Sequence, residues 1–253
     1  MLNDSVNEMP IETILLDIEG TTTPIDFVYT ILFPYARANL KDFINRNLAD
    51  DEVRSIVAEL FAEHATDKST DLPPLHLSDN LDEKQIEALV AYSHLLMDQD
   101  RKVTPLKTLQ GKIWEEGYRS GELKGQVFPD VPHNLRRWHE LGKIICIYSS
   151  GSVLAQKLLF AHTGQGDLTE FISDFFDTNI GHKTEPGSYT RIAALLKKPT
   201  KILFISDVVA ELDAAEAAGL QTLLCLRPGN SQQPGSSVRD TIHTFDEVLP
   251  RCE

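Results

Sequence analysis

The sequence predicts an α/β fold: a doubly wound parallel sheet with an all-helical segment inserted after its first strand. Three observations lead there. Short apolar runs with β-branched members recur at residues 11–16, 143–148, 201–205 and 221–226, as expected of strands buried on both faces. Helical patterns at 153–162, 188–196 and 209–218 separate the later runs, and strand alternating with helix builds a parallel sheet. Residues 25–128 break this rhythm and offer no convincing strand.

In chain order, the first run stops abruptly at Asp17. Helical periodicity then appears at Phe43 and Ile44, at 53–61, at 81–97 and at 106–118, with a polar, proline-bearing linker at 66–80. Trp114 and Tyr118 lie one helical turn apart and read as core packing. Phe128 to Pro132 mark a return to the sheet, with Pro132 placed to start the helix before Lys143. A weaker strand surrounds Phe175 and Phe176, and Gly219 ends the helix at 209–218. The expected division is therefore a core of residues 1–24 and 129–253 and a helical cap of 25–128.

Composition narrows the function classes. With 42% hydrophobic and 25% charged residues this is an ordinary folded, soluble chain. Its longest apolar runs fall far short of the roughly 20 residues that span a bilayer, so no membrane segment is expected. The first ten positions carry Asp4 and Glu8 and no basic stretch leading into a signal-like apolar run, which makes the cytoplasm the expected compartment. Cys146, Cys225 and Cys252 are scattered and read as two buried small hydrophobes and a tail thiol. A formal charge of −14 disfavours a nucleic-acid partner. It also repels anionic substrates at long range, so a phosphate site here must carry its own cations.

The chemistry-bearing residues sit at strand ends. Asp17 and Glu19 are two apart in an extended segment and can face one site, while Gly20 lets the backbone turn sharply. Alone, such a pair reads as solvated strand-end acids. Asp207 closes the fourth long run in the same way, however, and Glu211 follows one helical turn later. In open parallel sheets ligands bind beyond the carboxyl ends of strands where the strand order reverses, so acids at two such ends converge. Gathered carboxylates repel without a cation, and Mg2+, a hard ion held by carboxylate oxygens, water and phosphate, resolves that repulsion. Lys183, in the loop after the weak strand, would supply a second cation. Ser149, Ser150 and Gly151 follow the second run just before a helix and offer hydroxyl and N–H donors to phosphoryl oxygens, with Ser152 as the helix N-cap.

In this order, the acid pair, the serine, the loop lysine and the final acid resemble the motifs of the haloacid dehalogenase superfamily, across the whole core. More narrowly, residues 16–25, 148–160 and 181–183, with Gln110, Gly111 and Trp114, are similar to the enolase-phosphatase (acireductone synthase) family of methionine salvage. Glu19 is the telling position. Most phosphatases of the superfamily carry Asp there, the enolase-phosphatases carry Glu, and the metal-free dehalogenases lack the acid.

The resemblance implies a Rossmann-like core and conversion of 2,3-diketo-5-methylthiopentyl-1-phosphate to the acireductone plus phosphate. It implies Asp17, Glu19 and Lys183 as catalytic residues, Asp17, Glu19 and Asp207 as Mg2+ ligands, and Ser149, Ser150 and Lys183 as substrate-binding groups. Position 19 would act through its carboxylate as acid and base, and on the metal through either carboxylate or backbone carbonyl. Glu211 would orient this shell rather than bind the ion. A monomer acting on a small phosphorylated metabolite is the family expectation. Another Mg2+-dependent metabolite phosphatase or a phosphomutase remains the alternative.

Overall fold

The computed structural model describes residues 11–67, 81–101, 103–196, 201–231 and 233–249. Backbone contacts divide the chain into two units, one of residues 1–28 and 124–253 and one of residues 29–123.

The first unit is the sheet. Strands β1 (Thr13–Leu16), β2 (Ile144–Tyr148), β3 (Asp174–Phe176), β4 (Ile202–Ser206), β5 (Gln221–Cys225) and β6 (Thr241–Ile242) lie in the order β3-β2-β1-β4-β5-β6, and every pairing is parallel. Every residue of β1 is buried, because helices cover both faces of such a sheet and leave only apolar side chains tolerable there. Leu16 pairs with Ile147 on one side and Ile205 on the other. From β1 the chain adds β2 and β3 outward on one side and then returns to place β4, β5 and β6 on the other. The order therefore reverses between β1 and β4, and the carboxyl ends of those two strands flank the crevice where such sheets bind ligands.

The longer helices described in this unit are α6 (Val131–Glu140), α7 (Val153–Ala161), α8 (Pro186–Leu196) and α9 (Val209–Ala217). Pro132 stands in the first turn of α6. The Ser152 hydroxyl accepts from the Ala155 N–H and caps α7. Gly219, at φ +87°, ends α9 by letting the Leu220 N–H turn back to the Ala215 carbonyl. Cys146 and Cys225 are buried free thiols, and Cys252 lies outside the described residues.

The first strand starts at Thr13 rather than residue 11, and β4 runs one residue further, taking in Ser206. Strand β6 was not anticipated, since two residues carry no alternation to read.

The second unit is helical. A short α1 (Ile25–Phe27), still in the first unit, leads into a π-helical turn at Val28–Leu32, and the second unit continues with α2 (Phe33–Asn47), α3 (Asp51–Thr66), α4 (Glu83–Asp98) and α5 (Thr104–Ser120). Leu40, Ile44, Leu60, Leu89, Tyr92, Leu96 and Leu109 are fully buried in a shared core. Asp50 caps α3 by accepting from the Glu52 and Val53 N–H groups, Asp82 and Gln85 form a capping box on α4, and Gly121 in the left-handed region closes α5. Tyr118 is buried, and the Trp114 indole N–H donates to the Leu32 carbonyl at 2.8 Å, tying α5 to the π turn. Most of the expected linker at 66–80 lies outside the described residues.

Candidate active site

The site is built on the two strand ends at the reversal. Asp17 extends β1 by one ladder bond, its N–H donating to the Ile205 carbonyl at 3.0 Å, and its side chain is buried. The chain then turns tightly: the N–H groups of Thr21, Thr22 and Thr23 all converge on the Ile18 carbonyl, and the Gly20 N–H donates to the Thr23 carbonyl at 2.8 Å. Gly20 adopts φ +73°, and a Cβ there would overlap the carboxyl group of Asp207. Conformation and space both demand glycine, and the close approach brings the Asp17 turn against the end of β4. Glu19, between them, is half-buried and forms a bridge with Thr23.

At the end of β4, the Ser206 hydroxyl lies 2.9 Å from Glu211 Oε2 and 3.4 Å from Asp17 Oδ2. Lys183 places its ammonium between two acids, paired with Asp17 Oδ1 and 2.6 Å from Glu211 Oε2. All three side chains are nearly excluded from solvent.

The loop that delivers Lys183 is held by side chains at each of four successive carbonyls. Arg191 Nε donates to Ile180 at 2.5 Å, the Tyr148 hydroxyl to Gly181 at 2.8 Å, the Ser188 hydroxyl to His182 at 2.8 Å and the Tyr189 hydroxyl to Lys183 itself at 2.7 Å. Three of these donors come from α8 and one from β2, so helix and sheet together fix where the lysine emerges. The Lys183 ammonium also sits 5.8 Å from the centroid of the Tyr148 ring, within reach of a cation–π attraction.

Ser149 continues β2, its N–H donating to the Phe176 carbonyl at 3.1 Å. Its buried hydroxyl oxygen accepts from the Gly151 N–H at 3.1 Å, which leaves the hydroxyl hydrogen free to donate elsewhere. Ser150 is half-buried beside it, just before the N-terminus of α7.

Electrostatically the site is short of positive charge. Burial pushes the Lys183 amine down, but Asp17 and Glu211 outweigh that and hold it protonated, with its pKa raised. Burial, then the charges of Asp17 and Glu211, push Asp207 up to about 7 from 3.8, with Lys183 only partly offsetting them. Burial and the Asp17 charge likewise raise Glu211. Asp207 Oδ1 is buried and has no hydrogen-bond partner, a costly state for a carboxylate oxygen unless a cation meets it. That orphaned oxygen fits a divalent ion. Among the described residues no three His, Cys, Asp or Glu side chains group as a ready cage, because the lysine ammonium takes the place between Asp17 and Glu211.

Asp17, Lys183 and Glu211 are thus in direct contact, with Asp207 against the Asp17 turn. Tyr148 groups in the sequence with the serines at the end of the second strand, but the bridging hydroxyl of Ser206 and the phenol of Tyr189 escaped the sequence reading. Ser206 carried a usable signal, a hydroxyl residue immediately before a strand-end acid; Tyr189 lies inside a helical pattern that gives no sign of a polar role.

Comparison with known proteins bears on the family of the chain. The profile of the haloacid dehalogenase-like hydrolases matches residues 11–219. Enolase-phosphatase E1 of Synechococcus elongatus is 50% identical over 241 residues, covering 94% of this chain and 98% of that protein. Enolase-phosphatase E1 of Drosophila melanogaster is 45% identical over 247 residues, covering 97% and 93%. Among solved structures, the UTR4 protein of Saccharomyces cerevisiae aligns with a TM-score of 0.77 at 35% identity, covering 94% of this chain and all of that one.

Proposed function

Because the chain belongs to the enolase-phosphatase E1 family of haloacid dehalogenase-like hydrolases, we propose that it converts 2,3-diketo-5-methylthiopentyl-1-phosphate to acireductone and phosphate in methionine salvage by two steps, enolisation of the diketone and then phosphate removal, with Asp17 as nucleophile of the second. The observation that carries the site assignment is the meeting of Asp17, Lys183 and Glu211 at the strand-order reversal, with the unpartnered oxygen of Asp207 beside them. Residues 29–123 are its cap domain on this reading.

Asp17 Oδ1 is pinned by Lys183, which fixes the rotation of the carboxylate before substrate arrives. A carboxylate oxygen of Asp17 attacks phosphorus, the bond from phosphorus to the leaving oxygen breaks, and an aspartyl-phosphate forms. Glu19 gives its proton to the leaving oxygen; it then takes one from the water that cleaves the acyl phosphate and frees phosphate. The Ser149 hydroxyl, Ser150 and the Lys183 ammonium hold the phosphoryl oxygens. Mg2+, when bound, supplies the positive charge that offsets the oxygens of the transferring group. Asp17 and Asp207 would hold it through carboxylates. Glu19 would contribute its backbone carbonyl, which keeps its carboxyl for proton transfer. Glu211, tied to Lys183 and Ser206, orients both.

No described helix is long and apolar enough to cross a membrane; a cytoplasmic monomer acting on a water-soluble phosphate is the reading that the family resemblance implies. The test is incubation with the diketone phosphate, with and without Mg2+, following enol absorbance and free phosphate separately. Both signals should appear with the metal. Phosphate release without a transient enol would refute the two-step reading, and release of neither product would refute the activity.

A further inference from the structure

The segment after β5 touches the backbone of both acid-bearing turns. The Asn230 side-chain amide donates to the Gly20 carbonyl at 2.9 Å and to the Cys225 carbonyl at 3.3 Å, joining the turn that follows Asp17 to the end of β5. The Gln233 amide donates to the Asp207 carbonyl at 3.0 Å, while its own carbonyl accepts from the Val209 N–H at 3.0 Å. Arg227, in the same segment, donates from Nε to the Thr21 carbonyl at 3.0 Å and from Nη1 to Asp130 at 2.9 Å. Its guanidinium lies between the rings of Phe128 and Phe245, with centroids at 4.5 and 4.7 Å.

Each amide presents a donor and an acceptor from one rigid plane, so Gln233 meets Asp207 and Val209 as a neighbouring strand would, and resists rotation of the peptides between them. Asn230 has a second role in space: a Cβ on Gly20 would lie only 3.2 Å from Asn230 Oδ1 while also overlapping the Asp207 carboxyl group. Gly20 is therefore packed against both side chains. Asn230 pins the Asp17 turn, Gln233 pins the Asp207 turn, and the amides sit three positions apart in one short segment. Neither has a reactive group facing the site, and an ordinary loop tether would need to hold only one partner.

We propose that Asn230 and Gln233 are positioning residues that set the spacing between Asp17 and Asp207, and hence the affinity of the pair for a divalent cation. This rests on the reading of that pair as the metal site.

The experiment compares wild type, Asn230→Ala, the volume-matched Gln233→Met, Asp207→Asn and the double variant Gln233→Met/Asp207→Asn. Mn2+ binding is read by electron paramagnetic resonance of the free ion, alongside kcat, KM and thermal midpoint. Disturbing groups that orient metal ligands costs roughly 10–100-fold in affinity or rate. Each amide variant should therefore weaken Mn2+ binding and lower kcat by about tenfold or more. KM for the organophosphate and the thermal midpoint should move little. The Gln233→Met effect on Mn2+ should vanish in the Asp207→Asn background, since a positioning residue has nothing to act on once its target is gone. Wild-type Mn2+ affinity and kcat in both amide variants would overturn the proposal while leaving the metal site standing. A fall in thermal midpoint without a change in Mn2+ affinity would reduce the amides to loop tethers and overturn it equally. If Asp207→Asn binds Mn2+ as tightly as wild type, the metal-site reading itself is wrong and the proposal falls with it.

Discussion

Asp207→Asn should make the metal-free protein more stable at neutral and alkaline pH while destroying its activity. In the absence of a cation, burial and the neighbouring acids raise the Asp207 pKa from 3.8 to about 7. The sign follows from linkage. A carboxyl whose folded pKa lies above its unfolded value favours folding only while protonated, so stability is lost as pH climbs from about 4 to about 7 and stays lost above it. A shift of about three pH units is worth at most about 4 kcal/mol. Asparagine removes the charge but retains a buried polar group, at a cost of about 1 kcal/mol. The net gain is on the order of 2–3 kcal/mol, or roughly 4–10 °C in melting temperature for a chain of this size. The assay is circular-dichroism melting of both proteins in chelator, from about pH 4 to about pH 8. At the acid end the variant should melt slightly below the wild type, the curves should cross as pH rises and their separation should level off above about pH 7, and added Mg2+ should raise the wild type alone. Parallel curves across that range would refute the argument that Asp207 carries an uncompensated charge.

Asp17→Asn should abolish phosphate release while leaving the circular-dichroism spectrum unchanged; residual turnover in a clean preparation would remove Asp17 as nucleophile. Lys183→Ala should lower kcat by a factor on the order of a hundred or more, because Asp17 loses its anchor and the phosphoryl group a cation; single-turnover kinetics with a rate near wild type would return the lysine to a structural role. Gly20→Ala forces a side chain into positive φ and onto the Asp207 carboxyl group, so it should destabilise by about 1–2 kcal/mol and impair turnover further, measurable by urea unfolding alongside phosphate release. Arg227→Met strands the buried Asp130 carboxylate, which should cost about 3–5 kcal/mol in the same unfolding assay. Adding Asp130→Leu should recover part of that loss.

How much of this was legible in the sequence depended on whether a residue's role is carried by its own pattern or by a distant partner. Strands β1, β2, β4 and β5 announce themselves because burial on both faces demands continuous apolar runs, and Asp17 and Asp207 stand out because an ionisable group ending such a run is anomalous. Lys183 was recognisable only through its place in an ordered series of motifs; alone it is a loop lysine like any other. The π-helical turn at Val28–Leu32 left no trace, since it arises from a shift in backbone bonding rather than from side-chain period. Asn230 and Gln233 were equally invisible. An amide that grips a backbone carbonyl depends on where two loops meet, which local sequence does not encode.

The pairing of β1 bears on how the chain comes off the ribosome. The strand that ends in Asp17 is made early, yet its partners are the far later segments containing Ile144 and Ile202. Residues 29–123 emerge next, and their described helices hold enough buried apolar side chains to collapse among themselves, whereas the unpaired apolar strand before them must wait for most of the translation product. Long-range parallel pairing of this kind is slow and leaves sticky edges open meanwhile. The nascent polypeptide should therefore depend on holdase chaperones chiefly through its first strand, with the helical segment already protected from protease while that strand is still cleavable.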